Sequence, residues 1–220
     1  AGPGAGQAGL KSRLYTESER PLSRPHRSTV EVVIKIGGGL LSQPCHLDTL
    51  LTTVCAAARE RRLVIVPGGG PFADTVRHID QQTKLSDDAA HWMAVLGMDQ
   101  YAHLIASRLN GGVIVETSRE IIKALDEGKV PVLTPSRWLR TADPLPHSWD
   151  VTSDSIAAWV AGQLGTNHLV LVKPPGAGAQ ARHELVDAYF ERALPSSVKP
   201  VIVAADQIER LRLAIGGTSG

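Results

Sequence analysis

Aromatic side chains, cysteines and net charge are all scarce in this chain, and each shortage removes a class of function. Four Trp, three Tyr and two Phe among 220 residues are too few for the stacking platforms that single-stranded nucleic acids require. A formal net charge of +1 leaves neither a basic surface for a phosphate backbone nor an acidic tail. The two cysteines, Cys45 and Cys55, have no paired spacing, which excludes a zinc or redox motif and suits a reducing, cytoplasmic compartment. Cys55 lies in an apolar helical pattern and reads as core. No apolar run approaches the roughly 18 residues of a membrane span. There is no GxxxxGK[ST] run and no HxH or HExxH spacing, so neither a P-loop nor a histidine metal site is expected. The first 28 residues are rich in Gly, Ala, Pro, Ser and Arg but lack an apolar central segment. They are expected to form a disordered or loosely packed arm rather than a secretory signal.

What is present is an alternation. From residue 29, β-branched runs at 31–36, 63–67, 113–116, 130–134, 168–173 and 200–204 read as strands. They are short and continuously apolar, as strands buried on both faces must be. Helical patterns lie between them at 48–61, 86–109, 118–127, 153–164, 184–193 and 206–214. In the first, Leu50, Leu51, Val54, Cys55 and Ala58 share a face. Thr117 to Glu120 has the form of a capping box. With no internal repeat and no dividing linker, residues 29–220 are expected to form one α/β domain, a doubly wound αβα sandwich with a mainly parallel sheet.

The strongest local signal is a pair of glycine turns. Strand 31–36 runs into Gly37, Gly38 and Gly39, and strand 63–67 into Gly68, Gly69, Gly70 and Pro71. A strand end that opens into a helix gathers unpaired N–H groups and the positive end of the helix dipole, and glycine lets an anion approach them. One such turn can be a tight turn only. Two of them at the carboxyl ends of parallel strands point to phosphate binding. Gly68 to Ala73 also fits a loose GxGxxA dinucleotide pattern, but Glu116, at the next strand end, lies too far along to be the ribose-binding acid.

Lys35 interrupts an apolar strand one residue before the first turn, where a phosphate is its natural partner; a solvated edge lysine is the alternative. In SWDVTSDSIAAWVAGQLG (148–165), Thr152 or Ser153 can cap a helix and Asp154 favours its first turn. Asp150 and Asp154 can instead orient lysines and a metal–nucleotide. Arg77 suits an anionic acceptor or the open surface equally. His91 and His147 lack the spacing of a metal site, and Trp92, Trp138, Trp149 and Trp159 read as packing rather than recognition residues.

Four segments carry a resemblance: VVIKIGGGLL (32–41), IVPGGGPFADTVR (65–77), DPLPHSWDVTSDSIAAW (143–159) and LVLVK (169–173). Together they resemble the amino-acid-kinase superfamily, which includes acetylglutamate, aspartate and uridylate kinases. Segment 143–159 is similar to the branch containing the [5-(aminomethyl)furan-3-yl]methyl phosphate kinase of methanofuran and methylofuran biosynthesis. The resemblance implies Mg-ATP across the carboxyl ends of the strands, with Mg carried by the nucleotide and no protein metal site. It makes Lys35 and Asp154 catalytic and Gly37, Gly38 and Gly39 nucleotide-binding, and Lys173 is expected to join both sets from the end of its strand. Gly68, Gly69 and Gly70 match the acceptor-side loop, and Arg77, Asp150 and Thr152 are the further acceptor-side candidates. It implies a small phosphorylated acceptor and a homodimer or higher homo-oligomer, with neither nucleic acid nor membrane as partner. Two departures stand out. The usual nucleotide loop is replaced by Lys173-Pro174-Pro175-Gly176, and the later segment bearing a second lysine is missing. Lys173 is the expected replacement; a flanking salt-bridged lysine and a non-catalytic nucleotide- or oxyanion-binding protein are the alternatives.

Overall fold

The computed structural model describes residues 29–177 and 180–216, so the arm expected over 1–28 lies outside it. Six strands occur where the apolar runs predict them: β1 (Val32–Ile36), β2 (Leu63–Pro67), β3 (Gly112–Val115), β4 (Val130–Leu133), β5 (His168–Lys173) and β6 (Lys199–Ala204). Every pairing is parallel, in the order β3-β4-β2-β1-β5-β6. The sheet is therefore wholly parallel, and both faces are covered by helices.

A short 3-10 turn (Gly38–Ser42) leads into α1 (Pro44–Ala57), followed by α2 (Gly70–Thr83), α3 (Asp87–Arg108), α4 (Ser118–Asp126) and α5 (Ser136–Ala142). After these come α6 (Ser153–Gln163), α7 (Arg182–Leu185), α8 (Phe190–Ala193) and α9 (Ile208–Gly216). Three departures from expectation stand out. Helix α1 begins before residue 48 because Pro44 sits in its first turn, where the missing N–H is no loss. Helix α5 was not expected; its Ser136 amide is satisfied by the distant Asp99 carboxylate at 3.2 Å. The helix expected over 184–193 is two single turns, α7 and α8, separated by residues 186–189. At α4, Thr117 accepts from the Glu120 amide at 3.3 Å, but Glu120 reaches back to the amide of Glu116 rather than of Thr117.

The alternation of side chains along β1 positions the site. Val32, Ile34 and Ile36 join one core with Leu47, Tyr101 and Leu211, while Val33 joins the other with Ile156, Leu169 and Leu171. Lys35 falls on the second face by the two-residue period. It is in register with Leu171, and Lys173 lies two residues further along β5 on that same face, which α6 covers. Strand β1 also separates β2 from β5, at the place where the winding of the chain reverses. The crevice at the carboxyl ends beside such a switch point is where open α/β sheets bind ligands.

Candidate active site

Three charged side chains meet under the N-terminus of α6. Lys35 Nζ lies 3.0 Å from Asp154 Oδ1, and Lys173 Nζ donates to both Asp154 oxygens at 2.8 and 2.7 Å. All three are buried, with 4%, 5% and 8% exposure for Lys35, Asp154 and Lys173. Burial alone would push the Asp154 carboxyl up, but the two ammoniums outweigh it and hold it below the ordinary carboxylate value. Burial, reinforced by the charge of Lys35, lowers Lys173 from 10.5 to about 8, against the opposing pull of Asp154 and Asp187. One carboxylate between two lysines leaves the triad with an excess positive charge. That excess is costly to bury unless an anion arrives.

The glycine turns supply the other half of an anion site. The Gly37 amide donates to Val172 O at 2.9 Å and the Gly68 amide to Ile36 O at 2.8 Å, so both continue the sheet. The amides of Gly38, Gly39, Gly69 and Gly70 have no acceptor among the described residues. These same four glycines line a cleft of about 220 Å³, together with Arg77, Trp149, Thr152 and Ser153. Lys35, Asp154 and Lys173 do not themselves line it, but Gly38 and Gly39 follow Lys35 closely in the chain and Ser153 adjoins Asp154.

The glycines also serve each other. A Cβ on Gly38 would sit 2.0 Å from the Gly70 nitrogen, and one on Gly68 would sit 2.5 Å from the Gly38 nitrogen. Gly70 adopts φ of 55°, in the left-handed region that glycine tolerates. The two turns are therefore in backbone contact, and Gly38→Ala is expected to destabilise the fold by about 1–3 kcal/mol or more through overpacking. Urea unfolding checks this, and an unchanged midpoint would show that the turns can part freely. At Gly69 the clash would be with the Cβ of Ala73 at 2.3 Å, so a side chain there disturbs the start of α2 as well as the cleft.

The segment that departs from the expected nucleotide loop is built into this arrangement. Pro174 approaches the Cβ positions of Gly39 and Gly37, at 3.0 and 3.7 Å, and the Lys173 carbonyl accepts from the Ala205 amide at 2.9 Å. Of the acceptor-side candidates, Gly69, Gly70, Arg77 and Thr152 line the cleft. Arg77 pairs with Asp74 at 3.0 Å and lies over the Trp149 ring at 4.6 Å, while the Trp149 N–H donates to Asp80 at 2.8 Å. Gly68 is taken up by the contact with Gly38. The Asp150 side chain is exposed and outside the lining, its backbone tied to Ser148 and Tyr189.

Asp187 is the residue beside the site that sequence reasoning missed. Thr152 occupies the N-cap position of α6, but its side chain does not cap the helix. The Asp187 carboxylate does so instead, accepting from the Thr152 amide at 2.9 Å, the Thr152 hydroxyl at 2.8 Å, the Ser155 amide at 3.0 Å and the Ser155 hydroxyl. It arrives from the turn between α7 and α8, and no local pattern could announce it. The turn of helix it pins carries Asp154. Asp187→Asn is expected to cost about 0.5–2 kcal/mol, lowering Tm by roughly 1–8 °C. Differential scanning fluorimetry would show this, and an unshifted Tm would mean that α6 holds its first turn unaided.

Comparison with known proteins agrees with this geometry. The model of the amino acid kinase family matches residues 31–174. The chain is 30% identical over 139 residues to the [5-(aminomethyl)furan-3-yl]methyl phosphate kinase of Methanocaldococcus jannaschii, an alignment spanning 63% of each protein. Its fold is similar to that of uridylate kinase from Archaeoglobus fulgidus, with a TM-score of 0.64 and 14% identity over 86% of this chain and 96% of that one. UMP kinase from Bacillus anthracis superposes with a TM-score of 0.61 at 14% identity, over 86% and 93% of the two chains. With a family model matched from β1 through the site lysine of β5, the chain belongs to the amino acid kinase family.

Proposed function

We propose that the protein is an ATP-dependent kinase that moves the γ-phosphoryl group of Mg-ATP to a small phosphate monoester. An aminomethylfuran-methyl phosphate in methanofuran or methylofuran biosynthesis is the acceptor that fits best, giving a diphosphate. The observation that carries this reading is the buried Lys35–Asp154–Lys173 triad, with its excess positive charge, beside four free glycine amides. Phosphoryl transfer demands little covalent chemistry from a protein; it demands positioning and neutralisation of charge on the moving oxygens.

An acceptor phosphate oxygen attacks the γ-phosphorus in line, the bond to the β-phosphate oxygen breaks, and ADP leaves with that electron pair. Lys35 and Lys173 neutralise the phosphoryl oxygens, and Asp154 fixes both ammoniums without being consumed. Mg²⁺ would arrive with the nucleotide and would add to the neutralisation of phosphate charge that the two lysines provide. Within the chain, the Asp154 carboxylate is already taken up by the lysines. Gly37 to Gly39 and the Lys173–Pro174 segment belong to the nucleotide side, and Gly69, Gly70, Arg77 and Thr152 to the acceptor side. The size of the cleft supports a single-ring acceptor, since about 220 Å³ lies below the roughly 300–1,000 Å³ of pockets for larger ligands.

The replaced nucleotide loop favours a second reading, a non-catalytic nucleotide- or oxyanion-binding protein. ADP release measured with Mg-ATP and a panel of phosphate monoesters and carboxylates separates the two. Turnover confined to phosphate monoesters supports the proposal. ATP binding by calorimetry with no turnover on any acceptor supports the alternative.

A further inference from the structure

Asp154 can organise two lysines only if the turn that carries it is itself fixed, and that turn is fixed from outside. Helix α6 begins at Ser153, and its first turn is held at Thr152 and Ser155, on either side of Asp154. Both residues give their amide and their hydroxyl to the carboxylate of Asp187. Three of the four donors share Oδ2, at 2.9, 2.8 and 3.0 Å, and the Ser155 hydroxyl takes Oδ1. An ordinary N-cap adjoins its helix and moves with it. This one stands on a different part of the chain.

That part is anchored in its own right. Asp187 lies in the turn between α7 and α8, where its carbonyl accepts from the Phe190 amide at 3.1 Å. The Tyr189 amide donates to Asp150 O at 3.1 Å. Phe190 is fully buried, in the same core as Ile156, Ala157 and Val160 of α6. The carboxylate therefore meets the helix end from a held position.

Asp187 also belongs to the electrostatics of the triad. The charged groups that act on Lys173 come from three elements: Lys35 on β1, Asp154 on α6 and Asp187 on the α7–α8 turn. Lys35 favours loss of the proton, and the two carboxylates favour its retention. Asp187 commits its oxygens to Thr152 and Ser155, so it acts on the lysine across space and through the helix rather than by contact.

From this arrangement we infer that Asp187 is a positioning residue for the phosphoryl transfer. It sets Asp154 between Lys35 and Lys173 by fixing α6 on both sides of that aspartate, and it adds a second carboxylate to the surroundings of the lysines. The inference rests on the kinase reading above. It makes the α7–α8 turn a support of the reacting centre, although none of its described residues lines the cleft.

Two substitutions separate position from charge. Asp187→Ala removes the carboxylate and all four hydrogen bonds. Asp187→Asn keeps an oxygen where Oδ2 accepts from three donors, and its amide can face a Ser155 hydroxyl turned to accept, so it removes the charge with least damage to the cap. Initial rates with Mg-ATP and [5-(aminomethyl)furan-3-yl]methyl phosphate give kcat and KM as a function of pH. In the ligand-free proteins, NMR of ¹³C-labelled lysine follows the titration of Lys173, identified by its loss in Lys173→Arg.

In Asp187→Ala, kcat should fall by about 10²-fold with a smaller change in KM, the loss that follows when a reacting group is displaced by about 1 Å. Asp187→Asn should keep most of its kcat on the acid side. In both variants the Lys173 midpoint, at about 8 in the wild type, should move down, and the alkaline limb of kcat should move with it. If Asp187→Ala does not fold, those two shifts in Asp187→Asn decide the matter. A merely structural cap would lower Tm and leave kcat, the alkaline limb and the Lys173 midpoint where they were, and that result overturns the inference. If the wild type turns over no acceptor, the kinase reading falls and the positioning role falls with it. The Lys173 midpoint then shows separately whether Asp187 acts on the lysine.

Discussion

Lys173→Met is expected to lower kcat by about 10²–10³-fold, the usual loss on removing one preorganised charge from a reacting centre, while the protein remains folded. Methionine keeps much of the aliphatic stem, so packing at the end of β5 should survive better than charge stabilisation. The pH profile makes the test sharper. Lys173 carries its charge below about 8 and loses it above, so wild-type kcat should fall as pH rises through that value. Lys173→Arg, which stays protonated, should retain partial activity and lose this alkaline limb. Stability should move the opposite way. Between about 8 and the ordinary 10.5 the unfolded chain holds the proton that the folded chain has released, so this lysine's contribution to stability rises with pH across that window. A flat pH profile, or a Met variant that turns over normally, would take Lys173 out of the mechanism.

Asp154→Ala should combine the largest loss of stability with loss of activity. It leaves two buried ammoniums facing each other with no carboxylate between them, and breaking a buried ion pair in this way costs about 3–5 kcal/mol. Asp154→Asn preserves shape and some hydrogen bonding but removes the negative charge, so it should be the less destabilised of the two and still inactive. The lowered carboxyl sets the pH window. The stabilisation is complete above the ordinary carboxylate value of 3.8 and is lost only as pH falls through the lower value of the folded state. Chemical denaturation with kcat measured on the same samples checks both effects. Normal unfolding midpoints in both variants would mean that the lysines are held apart by something other than Asp154.

How far the sequence discloses this site depends on distance along the chain. The six strands are legible because a parallel strand covered on both faces must be continuously apolar, and runs such as HLVLVK leave few alternatives. Lys35 and Lys173 are legible for the same reason, each being a charge at the end of such a run. That Lys173 reaches Asp154 is not a local fact. It follows from the pairing of β1 with β5, which places Lys35 and Lys173 on one face. Asp187 is less legible still, since it caps a helix from more than thirty residues away and sits in a break where the periodicity suggests an unbroken helix. The glycine turns were read as making room for an anion. Gly38, Gly39, Gly69 and Gly70 are placed for that, whereas Gly37 and Gly68 complete the sheet and Gly38, Gly68 and Gly70 are needed for the contact between the turns.

The central claim, that this triad transfers the γ-phosphoryl of ATP to a phosphate monoester, is most directly tested by ³¹P NMR. Mg-ATP and [5-(aminomethyl)furan-3-yl]methyl phosphate would be incubated with the wild-type protein and, in parallel, with Lys35→Ala. The account predicts that the acceptor's single phosphate resonance is replaced by a coupled diphosphate pair as ADP accumulates, and that Lys35→Ala slows this by about 10²–10³-fold. ATP that remains intact beside an unchanged acceptor, or a diphosphate formed equally fast by the Lys35 variant, would contradict it.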